Sequence, residues 1–128
     1  MPAQFKNPKG IAQPTGYTHV VRAGDFVYIA GQVARDEQGN VVGKDDFKAQ
    51  AEQVFQNLQR CLTSAGATFK DVVKTNVYLT SYSTIPELRE VRNRYFTGDP
   101  PASTLAVIPC LALREFLIEI EVIAYVGK

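Results

Sequence analysis

The chain contains few of the residues that hold metals or form pairs of a nucleophile and a base. Its 128 residues include one histidine, His19, and two cysteines, Cys61 and Cys110. The cysteines form no CxxC motif and lack the spacing of zinc ligands, which argues against a structural zinc site. His19 is expected to be an exposed strand residue beside a hairpin turn, so a Ser-His-acid triad built on Ser103 or Thr104 is disfavoured. We therefore expect no structural metal.

An excess of charge of either sign is also absent. The chain carries 14 Lys and Arg against 13 Asp and Glu, a formal net charge of +1. A dedicated nucleic-acid binder needs surplus cations to neutralise phosphates, so nucleic acid is not an expected partner. No run approaches the roughly 18 apolar residues of a membrane-spanning helix, and residues 1–6 lack the apolar core of a signal peptide. We expect a cytoplasmic protein with one domain, residues 1–128, and no membrane partner.

Two strands joined by a tight turn are predicted to open the fold. Segments 19–22 and 26–30 are rich in β-branched and aromatic residues, and Gly24 lies in the turn between them. A cluster of turn-forming residues follows at 36–40, after which residues 41–42 are compatible with a short third strand.

Two helices are predicted from apolar residues that recur at steps of three and four. The first is capped by one of the two aspartates at 45–46 and stops at Gly66. The second begins after residues 83–84 and ends by Gly98. The apolar stripe of the first consists of Phe47, Ala51, Val54, Phe55, Leu58, Cys61, Leu62 and Ala65, and that of the second of Ile85, Leu88, Val91 and Tyr95.

One further strand is predicted at 73–79, and two more close the chain, the last of them at 116–126. The order ββ(β)αβαββ predicts an α+β domain in which one mixed sheet carries both helices on one face. The other face is half-polar and poorly suited to a monomer. Val73, Thr75, Val77 and Leu79 share the apolar face of one strand, and Phe116, Ile118, Ile120, Val122, Ala124 and Val126 share that of the last.

Three positions have chemistry that the pattern alone leaves open. Glu119 and Glu121 share one face of a strand about 6 to 7 Å apart, so either they raise each other's pKa and exchange protons, or they form a solvated or interface-paired acidic face. Gly31 ends a strand without a Cβ, which suits either close approach of a ligand or a bulge. Lys74 suits a Schiff base only if it is buried among apolar neighbours, and is otherwise a solvated or interface lysine.

A motif near the C-terminus adds a family resemblance. Residues 100–105 (PPASTL), followed by the strand FLIEIEVIA at 116–124, resemble the signature of the Rid (YjgF, reactive intermediate deaminase) family. The resemblance extends over nearly the whole chain, because further short strings follow in the order that the family shows. These strings are Gly16-Tyr17, IAGQV at 29–33, Asn57-Leu58, AGA at 65–67, DVVKT at 71–75 and VYL at 77–79.

The resemblance implies a homotrimer in a chorismate-mutase-like arrangement, with small-molecule clefts between adjacent subunits. It also implies cofactor-independent deamination of enamines or imines. By the same resemblance, Glu119 positions the attacking water, Gly31 donates a backbone hydrogen bond and Tyr17 closes over the ligand. Several members carry serine where Ala30 stands, so one polar contact is expected to be missing.

The chain departs from the family pattern in the same cleft. Ser103 stands where the family's deaminases carry an arginine that binds the carboxylate of an imino acid at two points, a contact that serine cannot make. Leu105 replaces a residue that is often cysteine. We expect the hydroxyl of Ser103 or Thr104 to orient a substrate other than 2-aminoacrylate. Arg92, at the edge of the apolar stripe of the second helix, either supplies part of the lost positive charge or pairs at the surface.

Two classes of function remain open at this point. One is hydrolysis of an enamine or imine, and the other is a non-catalytic metabolite-binding trimer with a regulatory or chaperone-like role. A ribonuclease, a name attached to parts of this family, is disfavoured by the near-neutral charge and the single histidine.

Overall fold

The structure, a computed structural model, describes residues 2–127. It contains one six-stranded sheet and two α-helices, α1 (Phe47–Ser64) and α2 (Ile85–Tyr95). The strands in chain order are β1 (Gln4–Lys6), β2 (Val20–Ala23), β3 (Phe26–Gln32), β4 (Val72–Leu79), β5 (Ala102–Val107) and β6 (Ile118–Tyr125).

The strands lie in the order β1-β2-β3-β6-β4-β5. β4 and β5 are parallel, since α2 carries the chain back between them, and the other pairs are antiparallel. β6 comes last in the sequence and lies inside the sheet, whereas β1 and β5 form its edges. α1 packs on β3 and β6, and α2 packs on α1. The predicted α+β class, a mixed sheet with both helices on one face, is confirmed; β1 was not predicted.

The ends of α1 follow from local residues. Asp46 caps the helix, because its carboxylate oxygen Oδ1 accepts a hydrogen bond from the amide of Ala49 at 3.1 Å. After the last turn, Gly66 adopts a φ of 75°, the left-handed conformation that a residue with a Cβ rarely takes. The side chains that α1 buries against the sheet match the predicted stripe: Phe47, Ala51, Val54, Phe55, Leu58, Cys61 and Leu62.

An aromatic cluster fixes α2 against α1. The ring of Tyr95 stacks on Phe55 with centroids 4.9 Å apart, and Phe69 and Phe96 pack around this pair. α2 ends at Tyr95, earlier than the predicted stop at Gly98, because the backbone of Phe96 becomes extended and its ring enters the cluster. The cluster therefore sets where the loop to β5 begins.

Two local predictions are wrong. The register of β4 on β6 shifts between Val72 and Lys74, so Val72 enters the core and Val73 is exposed. This bulge inverts the expected facing of one residue without changing the rest of the strand. The possible strand at 41–42 is only an isolated bridge between Arg35 and Val41.

Gln50 joins three segments inside the core. Its side chain is fully buried, with 0% exposure. Its amide nitrogen donates to the carbonyl oxygens of Glu115 at 2.7 Å and Gly43 at 3.2 Å, and its oxygen accepts from the amide of Leu117 at 2.9 Å. Gln50 thereby bonds the backbone of the segment before α1 and the backbone of the segment that leads into β6.

We predict that Gln50→Leu lowers the free energy of unfolding by about 2–4 kcal/mol, because it leaves buried backbone groups without hydrogen-bond partners. Urea denaturation at one fixed protein concentration measures the change. The control, Gln59→Leu at an exposed position of α1, should leave the midpoint almost unchanged. Equal effects of the two substitutions would contradict a bridging role for Gln50.

Candidate active site

The carboxyl group of Glu119 lies over Gly31. On β6, Ile118 and Ile120 point into the core, so Glu119 stands on the open face of the sheet, opposite the helices. A Cβ at Gly31 would lie 2.7 Å from the carboxyl carbon of Glu119 and 2.9 Å from its Cγ, distances that real contacts do not reach. The missing side chain at position 31 is therefore what admits the carboxyl group.

A bulge in β3 provides this contact. Ile29 pairs with Val122, but Gln32 pairs with Ile120, so β3 has one extra residue between these two pairs. Gly31 belongs to this bulge. Of the two interpretations of Gly31 left open by the sequence, the bulge is confirmed, and the carboxyl group of Glu119 approaches the backbone there as well.

The electrostatic surroundings of Glu119 favour its protonated form. Burial raises its pKa above the ordinary value, and the like charge of Glu121 raises the pKa further. Glu121 accepts a hydrogen bond from the hydroxyl of Tyr78 at 2.9 Å, and this bond raises the pKa of the phenol. The open face therefore holds two neighbouring carboxyl groups, of which Glu121 has a hydrogen-bond donor of its own and Glu119 has a raised pKa.

His19 is buried, with 4% exposure, and the prediction of an exposed strand residue is wrong. Its Nε2 lies 2.8 Å from the carbonyl oxygen of Ala12, in a loop that covers the ring. The side-chain amide nitrogen of Gln32 lies 3.0 Å from its Nδ1, so Nδ1 accepts and Nε2 donates. The His19 carbonyl accepts from the amide of Ala30 at 2.9 Å, and the ring of Tyr17 meets the imidazole edge-on at 5.3 Å. His19 thus links the predicted residues Tyr17 and Ala30.

The predicted residues of β5 lie on both faces of the sheet. Ser103 pairs with Thr75, whose hydroxyl donates to that of Ser103 at 2.8 Å on the helical side. Leu105 shares that side and is 38% exposed. Thr104 points to the open face, where its hydroxyl accepts from Lys74 Nζ at 2.9 Å. Lys74 therefore has a polar partner and is not the apolar, buried lysine that a Schiff base requires.

A cavity of about 360 Å³ opens on the helical side, between α2 and the start of β5. It is lined by Arg92, Ser103 and Thr75, with Phe96 and Pro101 among its apolar walls. Arg92 as a whole is half-buried, and its guanidinium donates to the side chain of its neighbour Asn93 at 3.4 Å in an exposed hydrogen bond. Within one chain, the predicted residues thus form two groups on opposite faces: Arg92, Ser103 and Leu105 on one, and Glu119, Gly31 and Thr104 on the other.

Within residues 2–127, no three side chains of His, Cys, Asp or Glu converge into a metal-binding cluster. Cys61 is buried in α1 and Cys110 is exposed in the loop between β5 and β6; both are free thiols. Neither α1 nor α2 is long and apolar enough to cross a membrane.

Comparison with known proteins agrees with this fold. The family model Endoribonuclease L-PSP matches residues 8–126. A RutC family protein of Pyrococcus abyssi is 35% identical over 120 residues, which cover 94% of this chain and 91% of the relative. The crystal structure of RidA from the Antarctic bacterium Psychrobacter sp. PAMC 21119 is 36% identical, with a TM-score of 0.86 over 94% of this chain and 97% of that one. The Rid family protein YyfA from Yersinia pestis is 27% identical, with a TM-score of 0.92 over 98% and 100%.

The sheet order and the two helices on one face therefore belong to a fold of the YjgF/Rid type. The chain is a member of the Endoribonuclease L-PSP family, which is the YjgF/Rid family that the sequence resembles.

We predict that Glu119→Gln stabilises the protein at pH 7.5 and not at pH 4. When folding raises the pKa of a carboxyl group, ionisation of that group destabilises the folded state. This cost grows as pH rises from the pKa of the unfolded state through the pKa of the folded state, and it is absent below both pKa values. Glutamine carries no charge at either pH. Melting temperatures at the two pH values measure the difference, with Glu115→Gln at an exposed position as the control. A gain that is equal at both pH values would contradict the assignment.

We predict that Gly31→Ala folds with a loss below about 1.5 kcal/mol, because the atoms that the new methyl group meets belong to the flexible end of Glu119. The carboxyl group must turn away, so the pH-dependent effect of Glu119→Gln should shrink in the double variant. Gly98→Ala, where a Cβ meets no atom within 4 Å, is the matched control. Full additivity of Gly31→Ala and Glu119→Gln would show that the two positions do not interact.

Proposed function

We propose that the protein hydrolyses the C=N bond of an imine, or of an enamine after its protonation on carbon, to a carbonyl compound and ammonia. The observation that carries the proposal is the carboxyl group of Glu119, with its raised pKa, over the bulge at Gly31. Water adds to the carbon of C=N, and one of its protons passes through Glu119 to the nitrogen. The carbinolamine then releases ammonia as the carbonyl group forms. No cofactor takes part in these steps.

The proposed roles follow the geometry of the open face. Glu119 is the catalytic residue, because it holds the water and transfers the proton. Gly31 donates its backbone amide to the substrate, and Ala30 forms the adjoining wall. Tyr17, which is 49% exposed, closes over the bound molecule. Thr104 orients the substrate from the same face.

A second group of residues takes part from the helical side. We propose that Ser103 and Leu105 line the cleft and that Arg92 contributes positive charge to it. Because Arg92 and Glu119 lie on opposite faces of the sheet, one ligand can contact both only at a boundary between subunits. This supports the proposed homotrimer, in which clefts form between adjacent subunits in a chorismate-mutase-like arrangement.

An aromatic patch on the open face also supports a homotrimer. Phe26, Tyr28 and Tyr125 are exposed there, and the rings of Phe26 and Tyr125 lie 5.2 Å apart. Grouped aromatic side chains of this kind mark surfaces that a partner covers. A cytoplasmic location is proposed as well, supported by the free thiols of Cys61 and Cys110.

We predict faster hydrolysis of imines without a carboxylate than of 2-imino acids, because Ser103 cannot make a two-point bond to a carboxylate. An amine oxidase acting on benzylamine and an amino-acid oxidase acting on alanine generate the two kinds of imine in place. Semicarbazide reacts faster with the imine than with the carbonyl product, so catalysis lowers the initial rate of semicarbazone formation. Equal rates on both would contradict the assignment of Ser103.

The same assay tests Glu119. Glu119→Ala should lower the rate at least about 100-fold, the range of general acid-base catalysis, and light scattering should still report three chains. Glu115→Ala is the control. Undiminished hydrolysis by folded Glu119→Ala would refute the mechanism. A ligand-dependent rise in melting temperature without hydrolysis of either imine would favour a non-catalytic metabolite-binding trimer.

A further inference from the structure

Arg35 is a cation without an acceptor in the part of the chain that the structure describes. It follows β3, and its carbonyl oxygen is fixed by the side chains of Asn57 at 3.0 Å and Gln53 at 3.2 Å. Its guanidinium lies over the ring of Phe116, 5.1 Å from the centroid, a favourable cation–π contact. Its Nε is buried and has no hydrogen-bond partner among residues 2–127. Buried polar groups almost always have a partner, so the guanidinium of Arg35 is held with its donors incompletely paired.

Neighbouring carboxylates do not serve Arg35. The two salt bridges among the described residues join Lys48 to Glu90 and Arg94 to Glu52. Asp36, the nearest acidic residue in the sequence, uses its Oδ1 to accept from the amides of Gln38 at 3.0 Å and Asn40 at 2.9 Å. The positive charge of Arg35 is thus available to a molecule from outside the chain.

Arg35 lines an open cavity of about 500 Å³ between the loop at 7–13 and the turn at 36–39. Lys9 lines it from the opposite side, and Glu37 is the one carboxylate in its wall. Two cations therefore outnumber one anion. The side chains of Gln13 and Gln38 supply further amide groups to the wall.

The loop that carries Lys9 presents its backbone amides in an unusual way. Gly10 has a φ of 85°, in the left-handed region, and the chain turns there. The amide of Ile11 closes the turn at residues 9–10, and the amides of residues 9, 10, 12 and 13 bond no other group in the part of the chain that is described. Successive amides that turn through a left-handed residue form concave donors for anions.

We propose that this cavity is a binding site for an oxyanion, the phosphate or carboxylate group of a small molecule. Arg35 binds the anion through the planar fork of its guanidinium, Lys9 adds a point charge, and the amides of the loop donate to the remaining oxygens. The bound anion supplies an acceptor for the terminal nitrogens of the guanidinium, while the buried Nε faces away from solvent. This site is separate from the face that carries Glu119.

The site is also connected to the candidate active site. The carbonyl oxygen of Ala12 accepts from His19 Nε2 at 2.8 Å, and Asn7 Oδ1 accepts from the His19 amide at 2.9 Å. His19 in turn contacts Tyr17. An anion that orders the loop therefore acts on the segment that leads to Tyr17, and the single histidine of the chain reports its binding.

NMR titration of the labelled protein tests the proposal. Inorganic phosphate and acetate are added in parallel at constant ionic strength, while the backbone amides of residues 9–13 and the ring of His19 are followed. We expect saturable shifts with a Kd of about 1 mM or tighter for at least one anion. The tighter of the two identifies the anionic group. Shifts that stay linear with both anions would refute the site.

Variants make the test specific. Arg35→Met keeps an unbranched stem over Phe116 and removes the guanidinium, and Lys9→Gln removes the second charge at an exposed position where folding is not at risk. Each should weaken binding at least about tenfold, the effect of losing one charge-assisted contact. Arg89→Met, at an exposed position of α2, should bind as the unaltered protein does. Unchanged affinity in Lys9→Gln and in folded Arg35→Met would overturn the proposal.

Discussion

The register of β6 between β3 and β4 is the constraint on which the rest of the molecule depends. Side chains alternate along a strand, so the same pairing that buries Ile118 and Ile120 must place Glu119 and Glu121 on the open face. A slip by one residue would bury both glutamates and expose the isoleucines. The core and the candidate active site are thus fixed by one set of hydrogen bonds, and the cost of burying two charges protects both.

Periodicity in the sequence was sufficient for most of the fold, because long amphipathic patterns determine their own secondary structure. α1 and β6 show this, since their buried faces match the predicted apolar stripes almost residue by residue. β1 escaped prediction because three exposed residues carry no alternation. Val73 was assigned to the wrong face because a bulge is a property of two paired strands, and the sequence of one strand does not reveal it.

The candidate site was less accessible to sequence reasoning, because its contacts join distant segments. The acidic pair was visible as a pattern, but only family resemblance distinguished Glu119 from Glu121. The approach of Glu119 to Gly31 depends on how β3 pairs with β6. His19 was misjudged since the loop that buries it, at Ala12, folds back from outside the strand. Arg35 was not singled out from the sequence, because only the folded structure reveals that its buried Nε has no hydrogen-bond partner among the described residues.

The two cysteines differ in a way that makes the protein easy to study. Burial in α1 raises the pKa of Cys61 to about 12, so its thiol stays protonated and out of reach of reagents in solution. Cys110 is exposed in the loop between β5 and β6. A maleimide dye or spin label should therefore attach to one defined position of the natural sequence. That position follows edge strand β5, so a single label per chain can report how neighbouring copies approach one another.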